Sequence, residues 1–424
     1  MKKSIERIAN NDYFFSMITK ITGVMLALLL SIVVARYFGT DLKGVQSVID
    51  NHVSIYSVFL GLGIYQAYPF YRKKEKDLYP HFINNITTQF LIYELLALFI
   101  SFLIYKSNNN LYLAFAIIFM PIAVYIKQLN YIVLIECPRR RNIADIVVAV
   151  SEIILLLILW LVIDASVYIV MVYYAVAQLV NLFISFYNLK INPLKIRLEA
   201  NRLKEFARFG FIPMLVLLCM TINYKIDILM LEKCDSVALS DIGIYGLGVS
   251  LAEKVWLIPD AMKDILLSKL VKGKGEDEVA KILRINIIIC LLSIVALIIV
   301  GKPILILLYG KSFETSYYVM ILMMLGVIGM IFYKMIYSYN ISQGKRKINL
   351  MFLGLAALVN VIGNYFMIPI WGIWGAALTS VISYNICGAA FAIYFHKVSK
   401  IPYRLILFVQ KSDLMLLKNM LHGS

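Results

Sequence analysis

Runs of about 20 or more predominantly apolar residues recur along the whole chain, each long enough to cross a hydrocarbon core of about 30 Å as an α-helix. This recurrence constrains the fold more than any other feature, because a polypeptide in lipid must satisfy its backbone polar groups internally. The alternating pattern of a membrane barrel is absent, and the continuous apolar runs select helices. Composition agrees: 61% of the 424 residues are hydrophobic and 16% are charged, with a mean hydropathy of +0.82, outside the soluble range. The chain is therefore predicted to be an all-α polytopic membrane protein with twelve transmembrane helices. The predicted spans are 14–38, 43–70, 84–105, 111–134, 142–163, 166–187, 205–231, 241–266, 283–308, 315–340, 347–368 and 372–395.

Charge sets the expected topology. Most of the 41 basic residues lie at the N-terminus and in alternate connections around 72–76, 139–141, 190–208, 269–284, 345–347 and beyond 397. The opposite connections hold only Lys43, Lys106, Lys233, Lys302 and Lys311. The positive-inside rule then places both termini in the cytoplasm, which requires an even number of spans. The net charge of +16 is spread over short loops rather than gathered on one face, which argues against nucleic acid as a partner. Lys2 and Lys3 precede an apolar run too long for a signal peptide, so this run reads as a retained first helix. The five cysteines form no CxxC pair and predict no disulfide framework, and no metal-ligating cluster or cofactor motif is present. The expected organisation is an N-terminal six-helix bundle (1–188), a basic cytoplasmic linker (189–204), a C-terminal six-helix bundle (205–396) and a cytoplasmic amphipathic tail (397–424). The basic linker suits anionic lipid, with the gathering of lipid pyrophosphates as a sharper alternative.

Within the spans, charged side chains stand out, since one at the bilayer centre costs roughly 2.5–3.5 kcal/mol on insertion scales. Residues 205–266 carry Lys225, Asp227, Glu253, Lys254 and Asp260, which should pair with one another or face a watery cavity. Lys20, Asp50, Glu94, Lys127, Glu152 and Lys334 lie in other spans. Glu94, Lys127 and Glu152 fit either an ion-paired structural network or a coupling role, and His52 reads as a hydrogen-bonded interior residue. The fourth and tenth spans superimpose without a gap: VYIKQLNYIVLIECPRRRNI on FYKMIYSYNISQGKRKINL places Lys127 on Lys334 and Asn142 on Asn349. Six spans separate the pair, so the two halves should share one orientation, as in parallel-repeat transporters with a site near the midplane.

Six stretches resemble one family: ARYFGTDLKGVQS with FLGLGIYQAYPFYRKK, FGFIPMLVLLCMTINYKIDILML with SDIGIYGLGVSLAEKVWLIPDAM, ILILLYGKSFETSYYVMILM, and NYFMIPIWGIWGAALTSVIS. In order and spacing the chain is similar to the polysaccharide-type (O-antigen) flippases of the multidrug/oligosaccharidyl-lipid/polysaccharide (MOP) exporter superfamily. That resemblance implies two parallel-repeat bundles around a central cavity lined by the first, second, seventh and eighth helices. It implies an inner-membrane flippase for undecaprenyl-pyrophosphate-linked oligosaccharide, working by alternating access for surface polysaccharide assembly beside a polysaccharide polymerase. Lys20, Lys225 and Lys254 are then the substrate-binding candidates, whereas Arg36 and Lys263 lie near helix ends where long side chains snorkel. Asp227, Glu152 and Glu94 are the coupling-ion candidates, with proton and sodium both open, and Lys127, Lys334, Asp50 and Glu253 are secondary cavity candidates. Lys225 could instead answer to Asp227.

An enzyme is the competing class. Only four histidines are present, no loop holds a paired-carboxylate or His-Asp motif, and no loop is long enough for a catalytic domain. A multidrug exporter of the same superfamily is the nearer alternative. An exporter of organic cations would favour carboxylates in its cavity, while a lipid pyrophosphate favours lysine. Tyr65, Tyr68, Tyr245 and Trp256 could stack on sugars, although core packing is the commoner use of such residues.

Overall fold

The computed structural model describes residues 12–108, 110–189, 199–273, 275–408 and 410. They are helical throughout: α1 (Asp12–Leu60), α2 (Tyr68–Lys74), α3 (Leu78–Asn108), α4 (Leu111–Glu136), α5 (Pro138–Val162), α6 (Val167–Leu189), α7 (Ala200–Glu232), α8 (Leu239–Val255), α9 (Leu257–Val271), α10 (Glu276–Tyr309), α11 (Glu314–Met324), α12 (Val327–Ser342), α13 (Arg346–Ser399) and α14 (Tyr403–Leu407). Among these residues, nine helices are long and apolar enough to cross a membrane, or ten when α11 with its preceding turn and α12, bent by 52°, count as one span. Two of the nine are each divided by a glycine. α1 has 49 residues and breaks at Gly39 (φ 67°, ψ −170°), and α13 has 54 and breaks at Gly372 (φ 54°, ψ −129°). Unbroken, each would run more than twice the depth of a hydrocarbon core. With each counted as two segments, the twelve spans expected from the sequence are recovered. The chain is thus an all-α, multi-pass membrane protein.

Both breaks depend on backbone that only glycine adopts without strain. A Cβ at Gly39 meets nothing within 4 Å and one at Gly372 only Val237 at 3.8 Å, so crowding is not the issue. Gly39→Ala and Gly372→Ala are each expected to cost about 1–3 kcal/mol through φ alone, read as a lowered midpoint of thermal unfolding in detergent. The two arms of α13 fold back on each other about Gly372. Thr379 closes on Gly363, and Ser383 donates to the Ala356 carbonyl at 2.8 Å.

Three spans differ from the uniform helices expected. The second, predicted to reach residue 70, stops at Leu60. Leu62 and Gly63 then take positive φ (48° and 64°), and a 3₁₀ turn (Ile64–Ala67) leads into α2. The eighth breaks at Trp256, between α8 and α9, and the tenth breaks at Leu325–Gly326. Apolar length alone does not register these interruptions, because the two pieces of each still add up to a span, although glycines stand at two of them, Gly61 and Gly63 in the second and Gly326 in the tenth.

The chain divides into two compact units, residues 1–221 and 222–424, so that the division falls inside α7. In unit 1, α4 is the hub, touching α1, α3, α5 and α6. A core of Tyr68, Phe82, Ile86, Tyr125, Leu129 and Phe206 gathers under the broken end of the second span. There Gly63 lies so near Gly210 that a Cβ on either would fall 2.2 Å from the other's carbonyl oxygen. Glu136, at the end of α4, accepts from Tyr68 (2.5 Å) and Arg72 (2.8 Å) and pins α2. In unit 2 the corresponding hub is α12, against α9, α10 and α13.

Burial is inverted relative to a soluble protein. Leu161, Leu307 and Phe183 are 86%, 74% and 71% exposed, while Asn85, Asn286, Asn360 and Asn364 are fully buried. Apolar side chains face outward to lipid and polar ones pair inside, the arrangement a bilayer demands. Of the expected tail, α14 is described, whereas residues 411–424 and most of the 189–204 linker lie outside the described residues.

Candidate functional site

Asp227 sits on the unit 2 part of α7, only 2% exposed. Its carboxylate accepts from the Tyr245 hydroxyl (2.5 Å) and the Ser380 hydroxyl (2.7 Å) at Oδ2, and from the Asn364 amide (3.0 Å) at Oδ1. Asn364 also donates to Asn360 Oδ1 (2.9 Å), and Asn360 donates to Ser380 Oγ (3.1 Å). Asp227, Asn364, Asn360 and Ser380 therefore close a ring of hydrogen bonds, with Tyr245 of α8 as a fifth member. Because Ser380 Oγ accepts from Asn360, its own proton is free for Asp227, so donors and acceptors match around the ring. Two oxygens from the same arms, Asn364 Oδ1 and Thr379 Oγ1, are buried with no hydrogen-bond partner among the described residues.

The ring follows from the folded-back arms of α13. Asn360 and Asn364 are four residues apart, hence on one helix face, and the return arm brings Ser380 opposite them. One turn away on each element, Ser383 donates to Asn223 Oδ1 at 2.6 Å and extends the polar seam along α7.

A second cluster surrounds the break in the eighth span. Lys334 of α12, 7% exposed, donates to Asp260 Oδ2 (2.6 Å) and to the Trp256 carbonyl (3.3 Å), with its ammonium 5.7 Å from the Trp256 ring centroid. The same carbonyl accepts from the Asp260 backbone N–H at 3.1 Å, so the ammonium adds a second donor there. Asp260 takes a second ion pair from Lys263 at 3.1 Å. Glu253, half-buried in the last turn of α8, lies within electrostatic reach of Lys225, Lys254 and Lys334. Lys225 and Lys254 are half-buried, and neither forms an ion pair with any described residue.

Unit 1 carries a parallel arrangement. Lys127 of α4 lies 5.9 Å from the ring centroid of Tyr65, at the break after the second span. Each unit therefore sets its hub-helix lysine over an aromatic ring at a broken helix, in keeping with the sequence repeat that aligned Lys127 with Lys334. Asp50 and Glu152, on the second segment of α1 and on α5, interact electrostatically with each other and with Tyr173 and Tyr174. Glu94 stands apart on α3, and its Oε2 is buried without a hydrogen-bond partner among the described residues. Lys20 is exposed on the first segment of α1.

Some expectations are revised by this geometry. Lys225 does not answer to Asp227, whose hydrogen bonds come from neutral Tyr, Ser and Asn groups, and Asp260 pairs with Lys334 and Lys263. Tyr65, Tyr68, Tyr245 and Trp256 are 8%, 0%, 1% and 4% exposed, so packing rather than sugar stacking occupies them. His52 is buried and stacked 6.0 Å from Tyr56. The ring partners Asn360, Asn364 and Ser380 escaped the sequence reading, although two asparagines at i, i+4 in an otherwise apolar span were a legible signal.

No protein-family model matches the chain, and no curated protein matches it significantly in sequence. Solved structures do match its fold. The lipid II flippase MurJ in an inward closed conformation superposes with a TM-score of 0.72 at 15% identity, covering 96% of this chain and 92% of that one. An inward-facing multidrug resistance MATE family transporter of the MOP superfamily gives 0.68 at 14% identity, over 89% and 94%. A MOP superfamily transporter from Pyrococcus furiosus gives 0.55 at 17% identity, over 95% and 96%. The chain has the fold of MOP-superfamily transporters.

Proposed function

We propose that the chain is a flippase, carrying undecaprenyl-pyrophosphate-linked oligosaccharide from the cytoplasmic to the outer leaflet of a bacterial inner membrane by alternating access. The carrying observation is a pair of half-buried lysines near the break in the eighth span. Lys225 and Lys254 lie within electrostatic reach of Glu253, and neither forms an ion pair with any described residue, whereas Lys334 is held by Asp260. Uncommitted ammonium groups within membrane spans suit an anionic cargo, since charge-assisted contacts to phosphate are about twice as strong as neutral hydrogen bonds. Lys254 and Lys225 are the proposed pyrophosphate-binding groups, and Lys20 of α1 is a further substrate-binding candidate. Lys334 serves Asp260 and the broken helix instead. The likeness in fold to a lipid II flippase is consistent with this reading.

Asp227 is the proposed coupling residue, taking a proton or acting with Asn364 Oδ1 and Thr379 Oγ1 as oxygen donors to sodium. Glu152, beside Asp50, and Glu94 are the lesser candidates in unit 1. The charge asymmetry of alternate connections supports an orientation with both termini in the cytoplasm, and a polysaccharide polymerase is the expected downstream partner.

The test is a Lys20→Ala, Lys254→Ala double variant expressed in a strain that depends on the chain for surface polysaccharide. It should lose more than tenfold of its polysaccharide and accumulate lipid-linked intermediate on the cytoplasmic face at unchanged protein abundance. Single Lys→Arg variants should keep partial activity, because the charge remains while the point-charge geometry changes. Normal polysaccharide in the double variant, together with efflux of organic cations by the wild type, would transfer the assignment to a multidrug exporter.

A further inference from the structure

α12 and the return arm of α13 touch backbone to backbone. A Cβ on Gly388 would fall 2.3 Å from Gly329 Cα, and one on Gly329 would fall 2.3 Å from the Tyr384 carbonyl oxygen. Helices pinned so closely at one point diverge beyond it, and the next residues on the α13 face, Ala389 and Ala392, are too small to fill the wedge. A crevice of about 310 Å³ remains, with Phe332 across from the alanines and Tyr403 and Ile406 of α14 at one end. Along α13 it runs from Asn385 to Ile393, about 12 Å of helix.

Asn385 turns its amide onto the carbonyls of Leu325 (3.2 Å) and Val381 (3.0 Å), the first of which is freed by the break in the tenth span. The remaining lining is almost wholly apolar. The end formed by α14 is held firmly: Ile406 is fully buried, Arg284 of α10 donates to the Leu405 carbonyl, and His396 stacks on Tyr403 with ring centroids 4.0 Å apart. Around that end, Lys397, Lys400 and Arg404 are exposed, and none forms an ion pair with a described residue. The sides of the opening, Ile328 and Ile393, are apolar and 41% and 46% exposed, as lipid-facing residues are.

We propose that this crevice binds one acyl chain of an anionic phospholipid, with the headgroup phosphate on Arg404 and Lys397. A narrow apolar trough open along its length suits a hydrocarbon chain, and the cations at one end supply the complement to a phosphate. Bound there, the lipid packs α14 against the tenth and twelfth spans. The site lies wholly within unit 2 and needs no transported cargo, so it stands or falls separately from the flippase reading.

The experiment uses the full chain in nanodiscs of mixed phosphatidylglycerol and phosphatidylethanolamine, followed by release into detergent and native mass spectrometry. The wild type should retain phosphatidylglycerol preferentially. A Lys397→Gln, Arg404→Gln variant should lose that preference by about fivefold for each charge removed, following the surface attraction of basic residues for anionic lipid. Ala392→Trp, which fills the trough, should lose the retained lipid of either headgroup. As a readout that needs no variant, phosphatidylglycerol with a photoreactive acyl chain should label residues 328–332 and 385–393 in the wild type. Label spread evenly over lipid-facing positions such as Leu161 and Leu307, or unchanged retention in both variants, would overturn the site.

Discussion

Asp227→Leu is expected to lower stability by about 3 kcal/mol or more and to abolish transport. The substitution removes the acceptor of three buried donors, Tyr245, Ser380 and Asn364, and each donor left unsatisfied costs about 1–3 kcal/mol. Asp227→Asn separates the structural role from the coupling role. The amide keeps the volume and one acceptor oxygen, and the Ser and Tyr hydroxyls can rotate to receive its N–H, so the stability loss should stay near 1 kcal/mol. Transport should nevertheless fall more than tenfold, because an amide neither takes up a proton at physiological pH nor offers a charge to sodium. Thermal unfolding in detergent and flux into proteoliposomes, measured with and without pH and sodium gradients, read the two effects independently. An Asn variant that transports normally with the wild-type ion dependence would move coupling away from Asp227, to Glu152 or Glu94.

The second large effect is steric. Gly388→Leu forces a side chain into the backbone of α12, where even a Cβ would sit 2.3 Å from Gly329 Cα, and the neighbour is backbone that cannot rotate away. Overpacking of a well-filled site costs about 1–3 kcal/mol. Here the helices must separate along their length, so a loss at or above the top of that range is expected, with little folded protein recovered after detergent extraction. Gly388→Ala should fall within the range. Gly23→Ala is the control: a Cβ there meets nothing within 4 Å, and alanine is the better helix former by about 1 kcal/mol, so the unfolding midpoint should hold or rise. Equal behaviour of Gly388→Ala and Gly23→Ala would show that the contact between α12 and α13 yields more easily than its geometry implies.

The two asparagines of the ring illustrate where sequence reading reaches and where it stops. Asp227 was visible as a carboxylate in an apolar span, because the energetic penalty of its position is local to one helix. Asn360 and Asn364 carried the same kind of local signal at i, i+4, but nothing in their own segment tied them to Asp227, more than a hundred residues earlier. That pairing depends on α13 folding back and on α7 lying beside it, neither of which is encoded in periodicity. The spans were legible because apolar length is a one-dimensional property. The interruptions at Trp256 and Leu325–Gly326 were not, since the side chains that contact them, Lys334 and Asn385, come from other helices. Lys127 and Lys334 sit between these extremes. Alignment of two stretches of the same sequence matched them, and only the fold disclosed the aromatic ring beneath each.

The turn at Gly372 bears on how the protein enters a bilayer in the first place. No loop separates the two arms of α13, so the eleventh and twelfth spans form one hairpin. The bond from Asn360 to Ser380 and that from Ser383 to the Ala356 carbonyl lie within this hairpin. Polar groups on one arm therefore have partners on the other without the rest of unit 2, which lowers the penalty a solitary helix would carry in lipid. Gly372 thereby makes the two spans one unit of polar pairing.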